Sequence, residues 1–356
     1  MLKGCVILRN VGVVTITAMN NFINNYGNRL QNYAVHYIAS LIGTDVKNYV
    51  NYKFDIKLKM FVNIIMHKGV NAAKRYVIFN HFDKNVKNNY VYQQETKKEC
   101  KYNYFICGSD QIWNPEYEGK PFMFATFAPP EKRIAYAASF GVSEIPEHKK
   151  EIYTKYLSEM KAISVREEAG AKIVKELTGR DVPVLIDPTL MLDKEDWQKV
   201  SKKPKYKIDG KYILTYFLGE ISEKRNNYIE NVAKNNGLQI IRLEASNPNK
   251  YWYGTGPAEF IWLIEHCSLM CTDSFHGSVF SVLMDVPFIV FEREDELKSM
   301  SSRIDTLLST LKLEDRRFDN QNGEEIFKKE YAHIPEILKT ERDKAIHFLK
   351  NAMELE

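Results

Sequence analysis

The feature that most limits the architecture is an alternation. Short apolar runs are each followed by a stretch of helical periodicity through most of the 356 residues. "GCVILRN" (4–10) reads as a strand, and "GNRLQNYAVHYIASLIG" (27–43) as a helix with Leu30, Ala34, Tyr37, Ile38 and Leu41 on one face. Residues 54–98 are less regular, basic and aromatic, and read as inserted helices. "YNYFICGS" (102–109) and "RIAYAASFG" (133–141) then read as strands, 147–161 as a helix, "AISVRE" (162–167) as a strand, 167–178 as a helix, and "VPVLIDP" (182–188) as a strand. Strands alternating with helices of this length make βαβ units and a parallel sheet.

The alternation breaks at "DKEDWQKVSKKPKYKIDGK" (193–211), a polar stretch with Pro204 and Gly210. It resumes with strand "YILTYFLG" (212–219), a helix over 222–236, strand "LQIIRLEA" (238–245), a helix over 257–267, a strand over 268–272, a helix near 276–285 and strand "VPFIVFE" (286–292). Pro257 suits the first position of its helix and Glu259 the first turn. The stretch from 323 is charged and helical. The expected fold class is α/β: two Rossmann-like domains facing a cleft, an N-terminal one over 1–192 with a basic helical insert over about 53–101, and a C-terminal one over 193–356 with a helical tail. Ligands of such sheets bind at the carboxyl ends of the strands.

Composition excludes some functions. A formal net charge of +4 is too small to argue for a nucleic-acid partner. Five cysteines form no CxxC pair; Cys107, Cys267 and Cys271 lie in apolar runs, where buried free thiols are expected. That fits a reducing compartment. The start "MLKGCVILRN" lacks a signal-peptide core, and no apolar run reaches the roughly 18 residues of a membrane span, so a cytoplasmic protein is expected. The eight histidines are scattered without HxH or HxxxH spacing, so no metal is expected; nor is there a Walker loop or GxGxxG.

Polar clusters stand at the predicted strand ends. In "SLMCTDSFHGSVFS" (268–281), Asp273, Ser274, His276 and Gly277 form the turn into a helix. Helix N-termini bind anions, and a histidine there can transfer a proton. The plainer reading makes Asp273 or Ser274 an N-cap and His276 a satisfied turn residue. In "AISVREEAG", Arg166 ends a strand, placed to grip a carboxylate or phosphate bidentately, or else to pair with Glu168 at the surface. "FICGSDQIWNP" offers Asp110 beside Trp113, suited to sugar binding or acid/base work, or a plain capped turn. Asn28, beside Gly27, reads as a helix cap, Asp187 in "LIDPTLML" as a structural turn, and Arg303 in "SMSSRIDTLL" as a surface helical residue.

Taken in order, "YGNRLQNYA", "CGSDQIWNP", "YAASFG", "SVREE", "DPTLML", "TDSFHGSVFS" and "SRIDTLL" resemble the polysaccharide pyruvyl transferase family, over roughly residues 5 to 315. The resemblance implies a GT-B-like fold, phosphoenolpyruvate as donor substrate with no other cofactor, and a pyruvate ketal placed across two hydroxyls of a sugar in a surface or capsular polysaccharide precursor. The acceptor sugar would be carried on a nucleotide or a lipid diphosphate. It makes His276, Asp110 and Arg166 the candidate catalytic residues: His276 as general acid or phosphate ligand, Arg166 as carboxylate clamp, Asp110 as base or sugar ligand. Candidate substrate contacts are Gly27, Asn28, Gln31, Gly108, Ser109, Gln111, Trp113, Asp273, Ser274, Gly277, Ser278 and Arg303. Some relatives carry an arginine two residues before the motif histidine; here that position is Ser274, which leaves Arg303 to supply the charge or donor binding to differ. The rival readings are a GT-B glycosyltransferase using a nucleotide sugar, and a non-catalytic glycan- or nucleotide-binding protein.

Between Lys53 and Lys101 stand eleven Lys/Arg against four Asp/Glu. Lys57, Lys59, Lys68, Lys74, Arg75, Lys84 and Lys87 are interleaved with Phe54, Phe61, Ile64, Ile65, Tyr76, Phe79 and Phe82. This suits a helix touching an anionic inner-membrane surface, or one packed on the first domain with its lysines solvated.

Overall fold

The computed structural model describes residues 10–16, 25–42, 45–50, 56–86, 90–92, 102–117, 120–245, 247–293, 302–320 and 325–355. The first half carries β1 (Val11–Val14), β2 (Val46–Val50), β3 (Tyr90–Tyr92), β4 (Tyr104–Gly108), β5 (Arg133–Ala138) and β6 (Ala162–Val165). They lie side by side in the order β3-β2-β1-β4-β5-β6, every pairing parallel. That order reverses between β1 and β4, which opens a crevice at their carboxyl ends. The second half carries β7 (Tyr212–Tyr216), β8 (Gln239–Arg242), β9 (Leu269–Thr272) and β10 (Phe288–Val290) in the order β10-β9-β7-β8, also parallel. Its reversal lies between β7 and β9. Strands β4, β5, β7 and β9 are buried throughout, as parallel strands covered on both faces must be.

The helices that cover and join the sheets are α1 (Tyr26–Ile42), α2 (Ile56–Phe82), α3 (Glu147–Ser158), α4 (Glu168–Thr178), α5 (Lys194–Gln198), α6 (Glu223–Asn235), α7 (Lys250–Gly254), α8 (Pro257–His266), α9 (Phe275–Leu283), α10 (Ser302–Leu311) and α11 (Ile334–Ala352). Pro257 opens α8 as expected, and the Gly256 N–H donates to the Glu259 carboxylate at 3.1 Å. Leu30, Ala34 and Ile38 bury the inner face of α1, but Leu41 is 66% exposed in the last turn. The halves meet on aromatic rings: Tyr26 at the start of α1 stacks on Phe260 of α8, centroids 4.3 Å apart, and also touches Tyr216. Helix α11 then crosses back to the first half, where Arg342 donates to the carbonyls of Leu190 (2.7 Å) and Leu192 (3.0 Å) and pairs with Asp193.

Three expectations change. Residues 90–92, read as part of the helical insert, form β3 at the edge of the first sheet, parallel to β2. "VPVLIDP" is no strand; it adds a single parallel bridge, Val165 to Val184, to the edge of β6. Pro183 has no N–H for a ladder, and Pro188 opens a 3₁₀ turn directly afterwards. "GCVILRN" lies outside the described residues except Asn10, and the strand in that position is β1.

The insert is a helical hairpin. Gly69 has φ +79°, and beyond it the chain doubles back. Phe61 lies 6.3 Å from Tyr76, whereas fifteen residues of straight helix would span about 22 Å. Ile64, Ala72, Ala73 and Tyr76 bury one another between the arms. Arg75 is buried, not a surface cation: it donates to Tyr26 Oη (3.1 Å) and the Thr255 carbonyl (2.6 Å) and stacks on Trp252, tying the hairpin to the second half. Phe79 and Phe82 are core. Phe54 and Lys87, and the side chain of Lys57, lie outside the described residues.

Candidate active site

Both reversal points place polar residues at strand ends, and Asp187 joins them. It follows the Val184 bridge and caps the 3₁₀ turn Pro188–Met191, its Oδ1 accepting from Thr189 N (2.9 Å) and Thr189 Oγ1 (2.6 Å). Its Oδ2 accepts from Ser109 Oγ (2.8 Å), just past β4, and from Arg166 Nη1 (2.6 Å), just past β6. His276, in the first turn of α9, brings its Nε2 to 3.8 Å from Oδ1. Residues from four separate segments thus converge on one carboxylate. Burial alone would raise its pKa; the Arg166 guanidinium, then His276 and the Thr189 hydrogen bonds, hold it at about 2.

Arg166 is wholly enclosed. Its Nη2 reaches Asp110 Oδ1 at 3.4 Å, its Nε lies 3.9 Å from Glu167, and it stacks on Phe275. Burial works against its charge, yet Asp187, Asp110 and Glu167 together push its pKa up. This changes two expectations. Arg166 does not pair with Glu168 at the surface, and a free bidentate clamp is not what the fold presents, because both Nη atoms are already engaged.

Asp110 sits at φ +56°, a left-handed conformation that costs most side chains energy. Its carbonyl accepts from Ile112 (2.7 Å) and Ser139 (3.0 Å), which fixes the turn that aims its carboxylate at Arg166. His276 is buried, and its pKa is lowered, chiefly by that burial; Asp187 and Asp110 oppose the shift, while Arg166 and Arg303 add to it. The imidazole is therefore neutral at pH 7. Gly27 packs directly on it: a Cβ there would fall 2.0 Å from His276 Nδ1. Only glycine lets the start of α1 reach this ring.

Arg303, on α10 beside α4, is buried, not a surface residue, and has no hydrogen-bond or ion-pair partner among the described residues. Burial and the nearby Arg166 lower its pKa to about 10. Asn28 and Gln31 are buried at the start of α1. The Gln31 amide donates to the Asn28 carbonyl (3.0 Å), leaving Asn28 Nδ2 and Gln31 Oε1 without hydrogen-bond partners among the described residues. Gly108 ends β4 against the Tyr136 carbonyl, and Gln111 fills the space over Gly141.

Other expected contacts hold the fold. Trp113 is fully buried, stacked on Phe124 with centroids 5.2 Å apart, and its Nε1 donates to the Met123 carbonyl; no face is left for a sugar. Asp273 accepts from the backbone N–H groups of Leu218 (2.7 Å) and Gly219 (2.8 Å) and pairs with Arg293. Ser274 is the N-cap of α9, its Oγ accepting from Gly277 N, a task an arginine side chain could not perform. Gly277 is required by packing against Thr272, and Ser278 Oγ bonds back to the Ser274 carbonyl (3.2 Å). Sequence reasoning read Asp187 as a turn residue, which it is, but missed that its carboxylate joins Ser109, Arg166 and His276. The available signal was its place after a strand-like run, shared with Asp110 and Arg166.

Among the described residues no group of His, Cys, Asp or Glu is arranged to hold a metal ion, and no helix is long and apolar enough to cross a membrane. Cys107, Cys267 and Cys271 are free, buried thiols.

An α/β protein of two facing Rossmann-like parallel sheets, with a buried Arg–Asp–His centre at their carboxyl ends, defines the class. The polysaccharide pyruvyl transferase profile matches residues 25–295, and the chain belongs to that family. No curated protein matches the sequence. Among solved structures, a putative UDP-N-acetylglucosamine 2-epimerase from Listeria monocytogenes is similar at 9% identity, covering 98% of this chain and 97% of its own, with a TM-score of 0.49. The Neisseria meningitidis UDP-GlcNAc 2-epimerase is similar at 9% identity, coverage 96% and 100%, TM-score 0.41. A glycosyltransferase from Rickettsia africae is similar at 12% identity, coverage 97% and 96%, TM-score 0.39.

Proposed function

We propose that the protein transfers the pyruvyl group of phosphoenolpyruvate onto two hydroxyls of a sugar carried on a nucleotide or lipid diphosphate, in the making of a surface or capsular polysaccharide. The observation that carries this reading is a buried Arg303 with no hydrogen-bond or ion-pair partner among the described residues, beside a neutral His276 in a chain of this family. An anionic donor is what such an arginine lacks. Its phosphate and carboxylate would offset the positive field of Arg166 and Arg303, raising the His276 pKa and letting the imidazole take up a proton.

Protonated His276 then gives that proton to the donor methylene, and C2 becomes electrophilic. A sugar hydroxyl attacks C2 and loses its proton to Asp110. The C2–O bond to phosphate breaks, phosphate leaving with the electron pair, and the second hydroxyl closes the ketal as its proton passes to the departing phosphate. Asp187 is too acidic to serve as base and holds Arg166 and His276 in place. Arg303 binds the donor anion, and Arg166 orients Asp110. Buried free thiols support a reducing, cytoplasmic setting.

The test offers phosphoenolpyruvate with nucleotide- and lipid-linked sugars, reading phosphate release and the mass gain of one pyruvyl group. His276→Ala should cost roughly 30- to 1,000-fold, about 2–4 kcal/mol in the transition state, while the protein stays folded. Consumption of a nucleotide sugar with phosphoenolpyruvate untouched would make it a glycosyltransferase instead.

A further inference from the structure

We propose that the α2 hairpin docks the protein on an anionic lipid surface. Most of the large apolar side chains that the fold leaves exposed are concentrated there: Leu58 (71%), Val62 (47%), Ile65 (39%), Met66 (73%), Val70 (62%) and Val77 (52%). The only others among the described residues are Leu41, Ile152 and Leu218, scattered elsewhere. The hairpin already buries an apolar face of its own, through Ile64, Ala72, Ala73 and Tyr76, so the exposed set is a second surface, not a loosely packed first one. Water-facing apolar patches of this kind mark interaction sites.

Charge selects the occupant. From Ile56 to Phe82 there is no Asp or Glu, while Lys59, Lys68 and Lys74 are exposed along the same arms. Protein interfaces are depleted in lysine at their centres, whereas apolar side chains flanked by lysine with no acid among them fit lipid tails beneath anionic headgroups. Met66, Lys68 and Val70 stand at the tip around Gly69, where a Cβ would meet nothing, so the hairpin's end is open to solvent. Each arm, about 20 Å long, is too short to span a bilayer and suited to lie in its interface. At the base of the hairpin, Val77 borders a cavity of about 810 Å³ whose lining includes His81, Lys84, Lys202, Lys205 and Lys250 against a single acid, Glu259. Docking by the apolar side chains brings this basic lining towards the headgroups as well. The surface is separate from the Asp187 centre, and the proposal stands whether or not the protein is a pyruvyl transferase.

The experiment is co-sedimentation of the full chain with vesicles of phosphatidylcholine alone or mixed with phosphatidylglycerol. Wild type should pellet with the anionic vesicles at low salt, stay in the supernatant with neutral ones, and be released by high salt. Combining Lys59→Gln, Lys68→Gln and Lys74→Gln should weaken partitioning by roughly 100-fold. Combining Leu58→Ser, Met66→Ser and Val70→Ser should abolish it with the melting temperature unchanged. Wild type remaining in the supernatant with anionic vesicles overturns the proposal, even if a variant fails to fold. So does equal pelleting of wild type and both variants. A wild-type dimer in size exclusion that the serine variant dissociates would assign the surface to a second copy of the chain.

Discussion

Asp187 and Asp273 look alike in sequence and do opposite things. Each follows an apolar run and each is buried, Asp273 just past β9 and Asp187 three residues beyond the Val184 bridge. Asp187 meets an enclosed guanidinium and two hydroxyls, and its carboxyl is held at about 2. Asp273 meets two backbone N–H groups and the Nε of Arg293 at 3.3 Å, and burial outweighs them, so its pKa is raised. One carboxylate needs its charge; the other would be more comfortable without it. The difference lies in what faces each group across the fold, since Arg166 comes from a separate strand and Arg293 from beyond β10. A polar residue at a strand end is thus a place where chemistry can be built, and the partner decides whether it is.

The comparison can be broken most directly by removing each charge. Asp187→Asn leaves Arg166 enclosed with only the longer contacts to Asp110 and Glu167 as counter-charges, and should cost about 3–5 kcal/mol in denaturant unfolding. Asp273→Asn keeps an acceptor for the loop and should cost only about 1 kcal/mol. Equal losses would show that the two sites are the same kind of structural contact.

Arg303 sharpens the contrast from the cationic side. Arg303→Ala removes a buried charge that has no partner among the described residues, so thermal unfolding should show stability unchanged or raised by about 1 kcal/mol. Phosphoenolpyruvate turnover should fall nonetheless, through the apparent KM. A stability loss as large as that of Asp187→Asn would mark Arg303 as a structural residue instead.

The smallest effect is in pH. His276 has a folded pKa below its ordinary 6.5, so between those values the unfolded chain binds more protons than the folded one. The stability tied to its neutral form is complete above pH 6.5 and is lost as pH falls towards the folded pKa. Melting temperatures from pH 7.5 down to 5 should decline in wild type and decline less in His276→Gln. Parallel curves would place the titration elsewhere. Asp187 does not interfere, since its own contribution fades only below pH 3.8.

The alternation of runs was enough to read the second sheet and β4, β5 and β6 of the first, because burial on two faces demands continuous apolar strands, but it did not place β1, β2 or β3. It failed where a proline interrupts the ladder, as at Pro183, and where a helix end frays into solvent, as at Leu41. The site was less legible. His276, Asp110 and Arg166 stand out as polar groups at strand ends, but nothing local says that Arg166 is held by Asp187, 21 residues away. Trp113 misled because an aromatic beside an acid serves a core as well as a sugar site, and only its stacking on Phe124 tells which. The hairpin was hidden because a single glycine decides whether two basic helices run straight or fold on each other.

Helix α11 has a consequence for how the chain is made. Glu354, just past its end, bonds to Tyr104 and pairs with Lys161, across 250 and 193 residues, and Arg342 holds the segment after Met191. These contacts to the first sheet cannot form until residues 334–354 have left the ribosome. At about 5–20 residues per second, the flank of a finished first sheet waits on the order of ten seconds for its cover. The nascent first half therefore keeps one flank uncovered until residues 334–354 emerge, and its last wall arrives with the final turns of translation through this region.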